Sequence, residues 1–301
     1  MRRALIFLGA VAVGCIDALD PKQIITGPRV IEVIADPPEV RPGEPSRLSV
    51  VLAGTRGAAT YRWSLCPVTD LGGLGAGVSS SVADCFVDGA ALVLLSTETR
   101  ADFVVPEAVI EQATAAARRF EGSLPPGVLD TFLREVGIAV PVVVEVTVDG
   151  QTLRALKRVV VSRNPAPHRN PPTPRVRLGD RWVSVPTGAA DPSRCVPEDG
   201  EALRVGPGAT LTLTPDPDES WIERYTVLTS DGRFETRAEQ AYYSWYATGG
   251  SLDGLTRSPL RDNAWTLPTR APEGGAHSLW VLLRDGHGGA SGCRVDLEVA
   301  R

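Results

Sequence analysis

The chain has 301 residues with 30 Gly, 25 Pro, 5 Cys, one Met and a formal net charge of −5. That length suits two domains. The negative balance speaks against a nucleic-acid partner, which needs a basic patch. A lone Met, the initiator, excludes a Met-rich adaptable binding face.

Met1-Arg2-Arg3 makes a positive start, Ala4 to Val13 is apolar, and Ala12-Val13-Gly14-Cys15 sets small residues before a cysteine. A charged beginning, a short apolar run and a small-residue cleavage site read as a secretory signal. The run is too short to cross a bilayer, which takes about 20 apolar residues. Together these residues resemble the bacterial lipoprotein signal, although Ala12 stands where that signal more often carries Leu. The resemblance implies a signal peptide over residues 1–14, lipidation of Cys15, a tether over 15–28 and a membrane anchor in a bacterial envelope. Ile16 rather than Asp follows Cys15, which by the same resemblance favours the outer membrane.

With Cys15 set aside, Cys66, Cys85, Cys195 and Cys293 remain. An even number in an exported chain reads as disulfides. Four cysteines allow three pairings, and the expectation is one staple in each half, Cys66–Cys85 and Cys195–Cys293. Free buried thiols are the other reading. A metal site built on these cysteines does not fit their spacing.

The first unit, residues 29–163, opens on the alternating run Val30–Ala35. Asp36-Pro37-Pro38 ends it, Arg41-Pro42-Gly43-Glu44 turns the chain, and Leu48–Leu52 makes a second strand. Tyr61-Arg62-Trp63 follows, and the unit closes on Pro141–Val148, Asp149-Gly150 and Thr152–Val161. Period-two alternation marks strands, and Asp-Gly between two such runs marks a hairpin. Between Cys66 and Cys85, the run Gly72–Gly77 lacks the spacing and the strand-to-helix setting of a phosphate loop. It reads as a flexible loop. Pro106 to Phe120 reads as a helix with Val109, Ile110, Ala113, Ala117 and Phe120 on one face. Val128, Leu129, Phe132, Leu133 and Val136 mark a second helix, ended by Gly137. The two make a helical hairpin over 106–137. Its apolar faces pack on each other and the sheet edge, or else meet a partner.

Residues 164–174 hold five prolines, among them Pro165, Pro171 and Pro174, and read as a semi-rigid spacer. The second unit, 175–301, repeats the plan with Thr210–Leu213, Tyr243-Ser244-Trp245-Tyr246, Ser278–Leu283, Asp285-Gly286 and Cys293–Val299. Trp63 and Trp245 read as core residues of sandwiches. Alternation through Tyr242–Tyr246 sets Tyr243 and Trp245 opposite to their neighbours. That leaves Tyr242 and Tyr246 as candidate ligand-facing aromatics, with core and edge packing as the plainer reading. Asp216, Asp218 and Glu219 form an acidic loop. It is a weak calcium candidate, since calcium takes six to eight oxygen ligands, and a solvated turn is the plainer reading.

No G-x-S-x-G, H-E-x-x-H or P-loop pattern occurs, and His168, His277 and His287 read as surface-loop histidines. Asp231–Arg237 followed by Ser244–Gly250, with Leu283-Arg284-Asp285-Gly286-His287-Gly288-Gly289 near the end, resembles myxobacterial-type surface lipoproteins with tandem immunoglobulin- or PKD-like domains. The resemblance implies location and architecture and brings no catalytic residues. The expected protein is mainly β, with two tandem immunoglobulin-like β-sandwiches, the first carrying the helical hairpin. Its expected role is a non-enzymatic, lipid-anchored envelope scaffold with no cofactor and with an envelope protein as partner. The alternatives are a carbohydrate-binding surface module and a hydrolase with an inter-domain site.

Overall fold

The computed structural model describes residues 22–66, 85–87, 90, 92–118, 127–189, 191–216, 218–229, 231–254, 261–270 and 276–299. The signal-like segment with Cys15, the Gly72–Gly77 run and Phe120 lie outside the described residues, as do the side chains of Val109, Ala113 and Ala117.

The protein is mainly β, with several sheets around two cores. In the first half, β1 (Arg29–Asp36), β3 (Pro45–Ala53) and β6 (Arg100–Val104) form a sheet in the order β1-β3-β6. A five-stranded sheet runs β2-β8-β7-β4-β5, from β2 (Glu39–Val40), β4 (Thr60–Leu65), β5 (Val93–Ser96), β7 (Ile138–Val148) and β8 (Gln151–Val161). Val33, Leu48 and Phe103 of the first sheet meet Trp63, Val142, Val144 and Val159 of the second in one core. Strand β7 is apolar nearly throughout because both of its faces are covered: alternation sends Val142 and Val144 into that core, while Val143 packs beside Cys66 and Cys85. Val148 faces Gln151, so Asp149-Gly150 is the two-residue turn between β7 and β8. Both turn residues have positive φ, 49° and 74°, as this tight hairpin demands.

Strand β1 departs from plain alternation. Its register slips between Val30, opposite Leu52, and Glu32, opposite Val51. A bulge adds one residue and flips the faces that follow. Val33 and Ala35 therefore join Val30 at the core, while Ile31 packs with Ile25, Val51, Tyr246 and Trp280. Helices α1 (Glu107–Arg118) and α2 (Val128–Glu135) lie between β6 and β7. In α2, Val128, Leu129, Phe132 and Leu133 are buried, and Gly137 ends the turn with φ 78°. A Cβ there would lie 2.7 Å from the Val161 carbonyl oxygen, so Gly is required twice over.

In the second half, β9 (Val176–Leu178), β10 (Arg181–Ser184), β11 (Val196–Pro197), β13 (Thr210–Pro215), β17 (Ser251–Leu252) and β18 (Asn263–Thr266) form a sheet in the order β11-β10-β9-β13-β18-β17. A second sheet runs β12-β20-β19-β16, from β12 (Arg204–Val205), β16 (Tyr242–Ala247), β19 (Ala276–Arg284) and β20 (Ala290–Val299). Trp245, Trp265, Leu213 and Leu279 fill the core between them. Both expected cysteine pairs form: Cys66–Cys85 with Cα atoms 5.8 Å apart, and Cys195–Cys293 at 5.4 Å.

The hairpin of β14 (Arg224–Leu228) and β15 (Phe234–Ala238) belongs to neither second-half sheet. It reaches over to the first half, where Leu228 and Phe234 pack on the first core and β14 meets α2. The buried face of α2 is thus covered in part by the other half of the chain, an arrangement that helical periodicity cannot reveal. The described end of the expected tether is docked as well. Ile25 donates its N–H to the Ala247 carbonyl at 2.8 Å, and Ala247 donates to the Gln23 carbonyl at 2.9 Å, which covers the outer edge of β16.

Candidate functional site

The polar chemistry of the described residues gathers where the halves meet. The proline-rich segment, expected to be a spacer, is hydrogen-bonded to both sides of this seam. His168 N donates to Glu39 Oε2 at 2.8 Å, and Asn170 Nδ2 donates to the Ala35 carbonyl at 2.8 Å. On the other side Asn170 Oδ1 accepts from Ala290 N at 3.0 Å, and Ser291 Oγ donates to the Pro172 carbonyl at 2.5 Å. Prolines lack the N–H, so they leave the neighbouring non-proline residues to make these bonds.

His168 and His277 are not surface histidines, being only 7% and 2% exposed. The His168 imidazole is ringed by carboxylates. Its Nδ1 lies 3.0 Å from Glu223 Oε2 and 3.6 Å from Glu239 Oε1, and its Nε2 lies 3.9 Å from Glu39 Oε2. Glu223 immediately precedes β14 and Glu239 immediately follows β15, so they face each other at the open end of that hairpin. Glu239 N donates to the Glu223 carbonyl at 3.0 Å, and Glu223 N donates to Glu239 Oε2 at 2.9 Å. The other oxygen, Glu239 Oε1, is buried with no hydrogen-bond partner. Burial first, and then nearby Asp285 and Glu223, push the Glu239 carboxyl up to about 7 against the pull of backbone N–H and His168. Glu39 Oε1 accepts a short hydrogen bond from Ser162 Oγ. Among the described residues, His168, Glu223 and Glu239 are the group whose donor atoms converge within 4.8 Å, as a metal ion would require.

Two further rings complete this corner. His287 stacks on Tyr225 with centroids 3.7 Å apart and meets His168 edge-on at 4.7 Å. Burial, reinforced by His168, pushes the His287 imidazole down to about 4. Asp285 accepts from His287 N at 2.6 Å and Gly289 N at 3.0 Å, shaping the five-residue loop that joins β19 to β20.

Beside it lies an ionic knot. Glu32 Oε2 accepts from Arg284 Nε at 2.7 Å, and Lys157 Nζ sits 3.9 Å from Glu32 Oε1 while donating to the Gly288 carbonyl at 2.6 Å. Lys157 occupies a core-facing position of β8, in the row of Val159 and Val161, and burial lowers its pKa. An open cavity of about 1220 Å³ also follows the seam, with Ile34, Leu52, Tyr61, Asn170, Trp280 and Arg294 among its lining residues.

The remaining candidates fall elsewhere. Tyr246, half-buried, packs with Ile25, Ala53 and Trp280. Tyr242, also half-buried, has the Arg284 guanidinium 5.9 Å from its ring centre. Tyr246 therefore lies on the seam under the first half, while Tyr242 sits half-buried beside Arg284. The acidic loop does not converge on a cation either. Asp216 accepts from Arg175 Nη1 at 3.0 Å, Asp218 accepts from Ser220 N at 2.9 Å, and Glu219 takes the Ile222 N–H on its carbonyl at 3.1 Å. This is turn chemistry with an arginine clamp, in which the Asp216 and Asp218 carboxylates are already engaged. No sequence signal marks Glu39, Glu223 or Glu239 as partners of His168, because each is brought to it by tertiary folding from a distant stretch.

His277 carries a pH prediction. Its Nε2 is buried without a partner, and the Trp265 ring stands edge-on 6.2 Å away. Burial holds its pKa below the ordinary imidazole value. The unfolded chain therefore takes up the proton first on acidification, and stability is lost as pH falls below about 6.5. His277→Leu should gain in stability relative to wild type between about pH 7.5 and pH 5. Urea midpoints across that range would show it, and a pH-independent difference would remove His277 as the cause.

No protein-family model matches the chain, and no curated protein matches it. Several solved structures are similar to it. A nucleoside hydrolase-related hypothetical protein from Saccharophagus degradans, associated with carbohydrate metabolism, is 18% identical with a TM-score of 0.25; the match covers 44% of this chain and 26% of that one. The chain thus spans about a quarter of that protein's length. SGBP-B from a Bacteroides ovatus mixed-linkage glucan utilization locus, solved with a mixed-linkage heptasaccharide, is 10% identical with a TM-score of 0.22, covering 90% and 70%. The tandem Ig repeats of Dlar are 10% identical with a TM-score of 0.22, covering 91% and 97%.

Proposed function

We propose that this chain is a lipid-anchored, non-catalytic protein of a bacterial envelope, most simply of the outer membrane. In this reading it presents two tandem immunoglobulin-like β-sandwiches to an envelope protein partner. The helices between β6 and β7 are an insertion in the first sandwich. The observation that carries the reading is the cysteine usage. Four of the five cysteines are spent in two disulfides, one per half, which is the pattern of an oxidising compartment. Cys15 is left over, directly behind the signal-like run. One acyl chain binds a membrane only reversibly, while two or more hold it stably, so a multiply acylated Cys15 would fix the body at the surface.

Metabolic labelling with a clickable fatty acid tests this. The wild-type chain should take up label and sediment with membranes. Cys15→Ala should lose the label and move to the soluble fraction. Mass spectrometry that finds mature protein with an unmodified thiol at Cys15 would overturn the reading. A second reading, a small-molecule or oligosaccharide binder, is favoured by the seam cavity, which at about 1220 Å³ is roomy enough for such ligands and larger than the usual pocket of about 300–1,000 Å³. Thermal shifts against a panel of oligosaccharides separate it from the scaffold reading, which expects none.

A further inference from the structure

We propose that His168, Glu223 and Glu239 form a binding site for one divalent transition-metal ion, with Glu39 as the carboxylate behind the imidazole. The inference is independent of the anchoring proposed above.

Geometry is the first support. Zinc holds imidazole nitrogen and carboxylate oxygen at about 2.0–2.2 Å, so donors sharing one ion stand roughly 3–3.5 Å apart. His168 Nδ1 stands 3.0 Å from Glu223 Oε2 and 3.6 Å from Glu239 Oε1, and the three residues each bring a donor atom within 4.8 Å of the others. The second support is an orphan. The Glu239 side chain is 1% exposed, and its Oε1 points at this cluster with no hydrogen-bond partner. A buried carboxylate oxygen left unpaired is costly, and a coordinated cation would satisfy it. The third is donor density: the carboxyl groups of Glu39, Glu223 and Glu239 all face one imidazole.

The outer arrangement also fits. A metal-bound histidine commonly directs its other ring nitrogen at a carboxylate. Here Nδ1 faces the two hairpin carboxylates, while Nε2 faces Glu39 Oε2 at 3.9 Å. Glu39 is itself held by Ser162 Oγ and by the His168 N–H. Imidazole nitrogen among the donors favours zinc and its neighbours over calcium and magnesium, which prefer all-oxygen sites. The ion would join the connecting segment to the base of the β14–β15 hairpin, whose far end packs on the first core.

The test uses the full chain, freed of metal with a chelator and dialysed against Zn²⁺ in the presence of excess Mg²⁺ and Ca²⁺. One zinc per chain is expected. Glu239→Gln, nearly isosteric, should weaken zinc binding about 100-fold or more, and Glu39→Gln about 10–100-fold. Unchanged near-ultraviolet dichroism would show that these variants remain folded. A measurement that needs no variant accompanies them: Co²⁺ added to histidine-labelled wild type should broaden the His168 imidazole resonances and leave those of His277 sharp. A wild-type chain that takes up no zinc, zinc affinity unchanged in Glu239→Gln, or a His168 signal untouched by Co²⁺, would overturn the proposal.

Discussion

The Cys195→Ser/Cys293→Ser double variant is expected to unfold about 4–5 kcal/mol more readily than wild type. The two cysteines are 98 residues apart in sequence, so their bond removes a great deal of freedom from the unfolded chain. In the chain-entropy model a closed loop of about 100 residues is worth about 4.7 kcal/mol at 25 °C, and one of about 15 residues about 3 kcal/mol. Cys66–Cys85, with a separation of 19, should therefore matter less when removed alone. Domains are stable by only about 5–15 kcal/mol, so the longer bridge accounts for a large share of the second half's stability. Cys195 precedes β11 in one sheet and Cys293 lies within β20 of the other, so the bond also clamps the two layers of the second core. Five of the six tryptophans lie between residues 182 and 280, which makes fluorescence a selective probe of that half. Urea titration should move the fluorescence midpoint strongly for the second pair and weakly for the first. Equal shifts, or none, would sink the argument.

The fold was legible in the sequence wherever local chemistry decides it. Asp149-Gly150 specifies its turn by positive φ, and the Val-rich run of β7 reads as a strand from its β-branched residues and the hairpin signal that follows it. The cysteine pairs followed from placing one staple in each half. Legibility failed where a tertiary neighbour decides. Plain alternation sets Glu32 on the face of Val30, but the bulge in β1 turns Glu32 to the seam and sends Val33 and Ala35 inward. Proline spacing reads as a semi-rigid spacer, yet the segment hydrogen-bonds to both halves and its His168 is buried. Alternation left Tyr242 and Tyr246 of β16 open between a ligand face and edge packing, and Tyr246 packs under the first half. The candidate site was illegible for the same reason: His168 was visible, but Glu39, Glu223 and Glu239 reach it only once the β14–β15 hairpin and the connecting segment have docked.

That docking can be measured at Glu32. Its carboxylate lies between two cations from opposite halves, Lys157 on β8 and Arg284 on β19, and the three side chains are only 16%, 10% and 16% exposed. Removing one member of a buried ion pair strands its partners, typically at about 3–5 kcal/mol. Glu32→Ala should fall near the lower bound, about 3 kcal/mol, because Arg284 keeps its hydrogen bond to Ser244 and Lys157 keeps the Gly288 carbonyl. Glu32→Gln retains an acceptor for the guanidinium and should lose less. The pair Glu32→Ala/Arg284→Met removes the stranded guanidinium and should recover part of the loss, since apolar replacement of a buried pair is often neutral. The sign of the coupling is therefore the decisive quantity in the double-mutant cycle. The loss should also show in cooperativity: if Glu32 binds the halves into one unit, a single calorimetric transition in wild type should separate into two in Glu32→Ala. Two transitions already present in wild type, with no change in either on substitution, would mean that the seam contributes no shared stability and that the halves unfold as independent bodies.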